Sequence, residues 1–307
     1  MSELDNKVKK SIERLKAFEP PEGYYLAFSG GKDSVVCKAL LDAAGVKYDA
    51  TYRVTSVDPP ELVRFIKERH PDVKREVPRF SQTIQYEPFR GKPITMWGLI
   101  QMKMMPPTRI VRYCCHHLKE SGGDGRIAVT GVRWAESVKR RDNNGAVTIM
   151  SKNESEFDNK EDFKKTRLGG FVSNNDNDET RQMVEQCYKR HRTTVNPIID
   201  WTDADVWNFI RANKIPYCSL YDEGFRRLGC IGCPLAGTKD REREFARWPA
   251  YKNAYLLAFE KMLQERIRRG KIDGSWRIGT TARDVFNWWM NYDVLPGQMT
   301  FDDFNDE

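Results

Sequence analysis

A short apolar stretch followed at once by a glycine-rich turn is the feature that most constrains the fold of this chain. Residues 24–28 are Tyr, Tyr, Leu, Ala and Phe, and the next six are Ser29, Gly30, Gly31, Lys32, Asp33 and Ser34. We predict a buried strand, a tight loop and then a helix from about Ser34 to Ala44. Successive backbone N–H groups of such a loop and the helix N-terminus converge on one point, where anions bind.

The residue types in this loop suit a phosphate ligand. Glycines allow a tight turn and a close approach of the main chain to phosphate oxygens. Lys32 supplies a positive charge, and Ser29 and Ser34 supply hydroxyl donors. The loop lacks the Gly-x-x-x-x-Gly-Lys-Ser/Thr pattern of nucleotide kinases. The candidate nucleotide-binding residues are therefore the whole run from Ser29 to Ser34.

The surrounding sequence alternates between strand and helix patterns. Further strands are expected at 48–55, 74–77 and 127–132, and a helix that starts with prolines is expected to end at Arg69. Alternation of this kind is typical of a parallel twisted sheet with helices on both faces. The predicted fold class is therefore α/β, with a helical C-terminal region.

Changes in composition predict four regions. Residues 1–20 carry an amphipathic helix at 3–17 that docks on the body of the protein or on a partner. The nucleotide-binding domain is expected at 21–140 and 190–236. Residues 141–189 are rich in Asn and Asp and are expected to form a polar, mobile insertion. Residues 237–307 are expected to be helical and aromatic.

Composition limits the classes of partner. No apolar run approaches the roughly 20 residues that a membrane-spanning helix needs, and residues 1–7 lack the features of a secretory signal. We therefore expect a cytoplasmic protein that does not contact membranes. The net charge of +7 suits anionic partners such as nucleotides or nucleic acid, and it equally suits a solvated basic surface.

Four of the seven cysteines form two close pairs in the sequence. Four thiolates suit one iron–sulfur cluster and also suit structural zinc, and free or disulfide-bonded cysteines are the third alternative. The four candidate metal ligands are Cys114, Cys115, Cys230 and Cys233. Of the other three cysteines, Cys37 lies in an apolar run, Cys218 precedes Ser219, and Cys187 lies near basic residues that would favour a reactive thiolate.

The loop resembles the SGGxDS signature of the PP-loop ATP pyrophosphatase superfamily. Several further stretches resemble the phosphoadenylyl-sulfate reductase family, and together they span about residues 24–235. They are Val57–Glu61, Pro106–Arg109, Arg112–Cys115, Thr130–Arg133 and Gly229–Pro234. The resemblance implies an adenine nucleotide alpha hydrolase-like fold with the nucleotide over the switch point of the sheet.

The resemblance also implies further binding residues around the nucleotide. The segment with Gly131 and Arg133 would lie across from the loop, and Arg133 with Arg140 or Arg141 would face phosphate or sulfate groups. The planar fork of arginine suits such oxyanions. Asp58, in the first of these stretches, is a further candidate for the nucleotide site.

The cysteine pattern, with Lys119 shortly after the vicinal pair, is similar to that of adenylyl-sulfate reductases that carry a [4Fe-4S] cluster. Reductases of this family use a cysteine on a C-terminal tail as the nucleophile. Residues 234–307 contain no cysteine. Relatives that keep the loop and the cluster without that cysteine resemble sulfur-transfer proteins, which are expected to activate an acceptor with ATP.

The predicted function is therefore ATP-dependent adenylation of an acceptor followed by sulfur transfer, with Lys32, Asp33 and Arg133 as the candidate catalytic residues. Mg²⁺ would accompany ATP, held by Asp33 or Asp58. A true reductase that releases sulfite with an external thiol is one alternative, and phosphoadenylyl sulfate would then replace ATP. A non-catalytic nucleotide sensor or nucleic-acid-binding module is another. Expected partners are a sulfur donor or thiol reductant protein; nucleic acid and a second copy of the chain remain candidates.

Overall fold

The computed structural model describes residues 2–84, 87–151, 157, 161–271, 276 and 278–291. Parts of the expected insertion and of the expected C-terminal region therefore lie outside the described residues. In the described part of the chain, eight strands form one sheet: β1 Tyr24–Ala27, β2 Tyr48–Arg53, β3 Lys74–Glu76, β4 Ala128–Val129, β5 Val147–Met150, β6 Lys164–Lys165, β7 Phe171–Ser173 and β8 Arg192–Val195.

The described helices alternate with these strands in the first half of the chain and dominate its last third. They are α1 Glu3–Ala17, α2 Lys32–Ala44, α3 Pro60–Arg69, α4 Met96–Lys103, α5 Tyr113–Cys115, α6 Val138–Asn143, α7 Asp178–Cys187, α8 Asp203–Ala212, α9 Thr238–Arg247, α10 Pro249–Arg268 and α11 Ala282–Trp289. A short π-helix, His116–Glu120, continues α5, and Ser219–Tyr221 forms a 3₁₀ turn.

The chain forms two compact units. The first consists of residues 1–53, 60–76 and 122–228, and the second of residues 54–59, 77–121 and 229–307. The first unit holds the whole sheet, in the order β3-β2-β1-β4-β8-β5-β7-β6. Strands β3, β2, β1, β4 and β8 pair in parallel, which confirms the predicted α/β fold.

Local sequence explains the start of the first unit. Ser2 caps α1 in a capping box with Asp5, and α1 docks on the body of its own unit. The Arg14 guanidinium donates to the Pro197 carbonyl at 2.7 Å, and Leu15 is fully buried. Helix α2 begins at Lys32, two residues earlier than predicted, because Gly31 takes the extended conformation of an N-cap.

The described residues of the polar stretch from 141 to 189 include strands β5, β6 and β7 and helix α7. Strands β5, β7 and β6 extend the sheet in antiparallel pairing, with β5 next to β8. The sheet is therefore mixed rather than wholly parallel. Val147 and Ile149 are fully buried, so the few apolar residues of this stretch are sufficient to anchor it to the sheet.

The second unit is mainly helical, as predicted for the C-terminal region. Helix α10 packs on α4 and α11. Its core is aromatic: Tyr255 and Trp289 have ring centroids 4.6 Å apart, and Phe259 is fully buried beside them. Within the described residues, no helix combines the length and the apolar character needed to cross a membrane.

Candidate functional site

The loop of the first unit joins β1 to α2 and is held by its own side chains. The Ser29 hydroxyl donates to the Ser34 hydroxyl at 3.2 Å, and Ser34 donates in turn to the Gly31 carbonyl at 2.9 Å. Gly31 caps α2 without a side chain, so the first amides of the helix need another acceptor. These amides and the positive end of the helix dipole form an anion-binding position.

Glycine is required at Gly30 for two reasons. Its φ of +73° lies in the left-handed region, and a Cβ there would come 2.7 Å from the Ile66 side chain. At Gly31 a Cβ would meet only the hydroxyls of Ser29 and Tyr221, each at 3.5 Å. Two hydroxyl groups therefore flank the backbone at the start of α2.

Two cations and two carboxylates lie together beside this loop. Lys32 Nζ lies 3.1 Å from Asp33 and 3.2 Å from Asp203. Arg133 Nε and Nη2 each donate at 2.8 Å, to Asp33 and Asp203 respectively. The Lys32 and Arg133 side chains are buried, whereas Asp203 is largely exposed. The carboxylates thus balance two positive charges that a phosphate group would otherwise attract.

Electrostatic contacts keep Arg133 and Asp203 ionised. Burial alone would lower the pKa of Arg133, but Asp33 and Asp203 raise the pKa of this guanidinium above its ordinary value. Burial alone would raise the pKa of Asp203, but Lys32 and Arg133 lower it below the ordinary range. Arg133 and Asp203 are therefore both charged at neutral pH.

The segment after β4, which contains Gly131 and Arg133, reaches the first turn of α2. A Cβ on Gly131 would lie 2.8 Å from Asp33 Cβ and 3.0 Å from the Asp33 backbone carbon. Only glycine permits this close approach, which brings Arg133 to Asp33.

The structure places the other predicted residues elsewhere. Arg140 on α6 pairs with Glu136, and Arg141 is exposed on the same helix. In the described part of the chain, neither is hydrogen-bonded to the loop. Asp58 belongs to the second unit, where its carboxylate accepts the Thr55 amide at 3.2 Å and neighbours Lys119.

The sequence patterns did not predict two residues of this site, Asp203 and Tyr221. Asp203 is the first residue of α8, and the capping box from Thr202 to Asp205 signals only the helix start. Tyr221 lies in the 3₁₀ turn, and its hydroxyl accepts the Lys32 amide at 2.9 Å. No short motif contains either residue, because both reach the loop through tertiary folding.

The four candidate metal ligands all belong to the second unit. Cys114 and Cys115 form part of α5, and Cys230 and Cys233 lie in the turn before α9. All four are free thiols. Cys114 is an electrostatic neighbour of Cys115, Cys230 and Cys233, so the two pairs converge in one region.

Backbone contacts shape the turn that carries the second pair. The Cys233 amide donates to the Cys230 carbonyl at 3.2 Å, and the buried Ile231 between them donates to Val57 at 2.8 Å. Gly232 has a φ of +73° and donates its amide to Glu244 at 2.7 Å. The Tyr255 hydroxyl donates to the Ile231 carbonyl at 2.9 Å. The aromatic core of this unit thus fixes the turn.

Cations accompany the thiols. Cys115 accepts hydrogen bonds from Cys114 and, at 3.6 Å, from Arg112, and both bonds lower the pKa of Cys115. The hydrogen bond between the two thiols also raises the pKa of Cys114. Burial raises the pKa of Cys230 to about 11 although Lys119 opposes the shift. Cys230 in turn raises the pKa of Lys119. The site therefore favours the anionic thiolate at Cys115.

The donor set fits an iron–sulfur cluster in its chemistry: four cysteine thiols in one region, with Arg112 and Lys119 available to offset negative charge. No group of three or more His, Cys, Asp or Glu side chains is arranged to hold a metal ion within the residues that the structure describes. We therefore propose the four cysteines as ligands from their chemistry and their proximity to one another.

The remaining cysteines are all buried. Cys37 and Cys187 are completely inaccessible and Cys218 is 1% exposed. Burial raises the pKa of Cys37, as expected for a thiol in an apolar core. Burial also raises the pKa of Cys218. The structure thus gives none of these thiols the exposure that a reactive cysteine needs.

The fold and the loop define a class: an α/β protein of the PP-loop superfamily. Residues 23–236 match the phosphoadenosine phosphosulfate reductase domain, and the chain belongs to that family. The matched range covers the loop, the segment around Arg133 and all four cysteines.

Individual relatives are more distant. An uncharacterized protein of Methanocaldococcus jannaschii is 25% identical over 278 residues, which are 89% of this chain and 52% of that protein. The chain therefore spans about half the length of that relative. The adenosine 5'-phosphosulfate reductase of Neisseria meningitidis serogroup A is 42% identical over 53 residues, 17% of this chain and 22% of the reductase. A solved structure, the phosphoadenylyl-sulfate reductase of Candida auris in complex with phosphate, matches with a TM-score of 0.40 and 14% sequence identity. The match covers 75% of this chain and 96% of the reductase chain.

Proposed function

We propose that this chain binds ATP through the loop from Ser29 to Ser34, transfers adenylate to an acceptor and supports transfer of sulfur to that acceptor. One observation carries the proposal. The N-cap residue Gly31 offers no side chain to the amides of α2, and the start of this helix lies beside the buried cations Lys32 and Arg133. When phosphates displace Asp33 and Asp203 from these cations, a triphosphate is the adenine nucleotide group whose charge best matches two cations and a helix dipole.

In the first step, the acceptor oxygen attacks the α-phosphate of ATP, and pyrophosphate leaves. The amides at the start of α2 hold the β- and γ-phosphates, and Lys32 and Arg133 stabilise the charge that develops on the leaving group. Incoming phosphates compete with Asp33 and Asp203 for the same cations. Mg²⁺ arrives with ATP, and Asp33 is the candidate carboxylate of the loop for that ion.

In the second step, a hydrosulfide ion attacks the adenylated carbon. The carbon–oxygen bond breaks, AMP leaves, and sulfur replaces the acceptor oxygen. Cys114, Cys115, Cys230 and Cys233 would hold a [4Fe-4S] cluster with one thiolate on each iron, and the cluster would supply a one-electron redox centre. Arg112 and Lys119 would offset the negative charge of the four thiolates.

The test is a turnover assay on anaerobically purified protein with α-labelled ATP and candidate acceptors, including RNA and DNA. We expect labelled AMP and one pyrophosphate per AMP, and loss of both in Lys32→Met. Lys9→Met, on the exposed face of α1, is the matched control and should retain activity. Absence of both products with every acceptor would contradict the proposal.

A sulfite-releasing reductase is the second candidate, favoured by the family match and by the short, more identical segment shared with the Neisseria reductase. The same preparation is incubated with adenylyl sulfate or phosphoadenylyl sulfate and thioredoxin or glutathione. Sulfite release would establish this candidate in place of sulfur transfer. If neither assay gives product while nucleotide binds, the chain is a nucleotide sensor.

A further inference from the structure

The side chain of Tyr221 brings a second element of the first unit to the phosphate loop. Its hydroxyl oxygen accepts a hydrogen bond from the Lys32 amide at 2.9 Å. That amide lies at the start of α2, next to the position that the proposed function assigns to phosphate. In this structure the phenol oxygen is the hydrogen-bond acceptor of this amide and therefore lies beside that position.

The tyrosine is held in place by its surroundings. The Tyr221 amide donates to the Cys218 carbonyl at 3.2 Å, and Leu220 in the same turn is fully buried. The ring lies edge-on to Trp207, with centroids 5.0 Å apart. Tyr217 packs on the other side of this cluster, 5.3 Å from Trp207. The hydroxyl is therefore presented to the loop by a rigid turn and an aromatic neighbour.

The state of the hydroxyl decides what it can bind. Burial raises the pKa of Tyr221 above its ordinary value, so the group keeps its proton at neutral pH. A phenol oxygen that already accepts one hydrogen bond still has its own O–H to donate. Ionised phosphate oxygens only accept, so they match a donor at this position.

The Ser29 and Tyr221 hydroxyls both lie near Gly31. A Cβ on Gly31 would lie at ordinary contact distance, 3.5 Å, from both the Ser29 and Tyr221 hydroxyls. Both hydroxyls therefore lie close to the Gly31 backbone. A phosphate oxygen bound at the start of α2 would lie near both of them.

We infer that Tyr221 is a nucleotide-positioning residue: it accepts from the Lys32 amide and donates its hydroxyl proton to a phosphate oxygen of the bound polyphosphate. The inference rests on the proposed function, because it assumes that the loop binds a polyphosphate. It assigns recognition of that group to the 3₁₀ turn after α8 as well as to the loop itself.

The test compares Tyr221→Phe with Tyr217→Phe by calorimetric titration of ATP, inorganic pyrophosphate and adenosine. The Tyr217 hydroxyl bonds to the exposed Asp222, and its ring belongs to the same aromatic cluster. Tyr217→Phe is therefore a matched control for loss of one hydroxyl. Thermal unfolding of both variants checks that the fold is retained.

We expect Tyr221→Phe to weaken ATP and pyrophosphate binding about 10-fold or more, the usual effect of losing a hydrogen bond to a charged group. Adenosine binding and the unfolding temperature should not change, and Tyr217→Phe should bind all three ligands as the parent does. Unchanged or tighter ATP binding by Tyr221→Phe, or equal losses for ATP and adenosine, would overturn the inference alone. If the parent protein binds neither ATP nor pyrophosphate, the proposed function fails as well.

Discussion

Arg133 connects two parts of the candidate site that lie far apart in the sequence. Its guanidinium donates to Asp33 on α2 and to Asp203 on α8, and it is only 2% exposed. The resemblance to the reductase family identified Arg133 from the sequence. Its partner Asp203 was not identified, since nothing local marks a carboxylate at the start of a helix as part of a distant site.

Replacing Arg133 by lysine tests whether the planar fork matters. Lysine keeps the charge but makes only one of the two directed contacts, so Arg133→Lys should lower the free energy of unfolding by about 1–3 kcal/mol. Urea unfolding measures this difference. Arg141→Lys, on the exposed face of α6, is the control and should change the free energy little. Equal stability of Arg133→Lys and the parent would show that the fork is not required.

His70 gives a pH-dependent prediction for the first unit. It packs on Phe28 and Phe65, and its Nε2 has no hydrogen-bond partner among the described residues. Burial, with a contribution from Lys38, lowers the pKa of His70 below the ordinary value of 6.5. The unfolded chain therefore takes up this proton at a higher pH than the folded protein does.

The free energy of unfolding should thus decrease as the pH falls through about 6.5, since protons then favour the unfolded state. His70→Gln, which does not titrate, should show a smaller decrease between pH 7.5 and pH 5.5. Urea unfolding at both pH values checks this. A decrease of the same size in parent and variant would mean that His70 does not cause it.

At the scale of elements, the contact between the segment after β4 and the start of α2 depends on one glycine. A Cβ at Gly131 would overlap the Asp33 backbone and Cβ. Gly131→Ala should therefore cost about 1–3 kcal/mol of stability through overpacking. It should also weaken ATP binding, because Arg133 follows two residues later.

Urea unfolding and ATP titration measure both effects. Gly237→Ala is the control, because a Cβ there would meet only an Asp240 oxygen at 3.6 Å. If Gly131→Ala has the stability and affinity of the parent, the close approach has no role.

Elements were predictable to different degrees. The strands and helices around the loop follow from apolar runs, prolines and glycines, and they agree with the structure to within a few residues. The antiparallel extension did not follow, because β5 and β7 are short and lie in a polar stretch with many Asn and Asp residues. Their pairing depends on contacts with β8, which a local pattern does not contain.

At the scale of the whole molecule, each candidate site is assembled within one unit. The second unit brings together cysteine pairs that are more than a hundred residues apart in sequence. The sequence predicted four ligands and placed Lys119 in the same pattern, but it did not predict which thiols Arg112 and Lys119 neighbour. Those partnerships depend on the folded positions of α5 and the turn before α9.

Iron analysis tests the cysteine assignment. Anaerobically purified protein should be brown and contain about four iron atoms per chain. Cys230→Ser should lose most of the iron and the colour, whereas Cys187→Ala in the first unit should retain both. Zinc in place of iron, or iron retained in Cys230→Ser, would contradict the assignment.

We expect the amides and cations at the start of α2, and not the cysteines, to bind the phosphates of an adenine nucleotide. Calorimetric titration of the parent protein with ATP, AMP and adenosine tests it directly. We predict that one ATP binds per chain and that the affinity decreases steeply from ATP through AMP to adenosine. Equal affinity for ATP and adenosine, or no ATP binding, would contradict it.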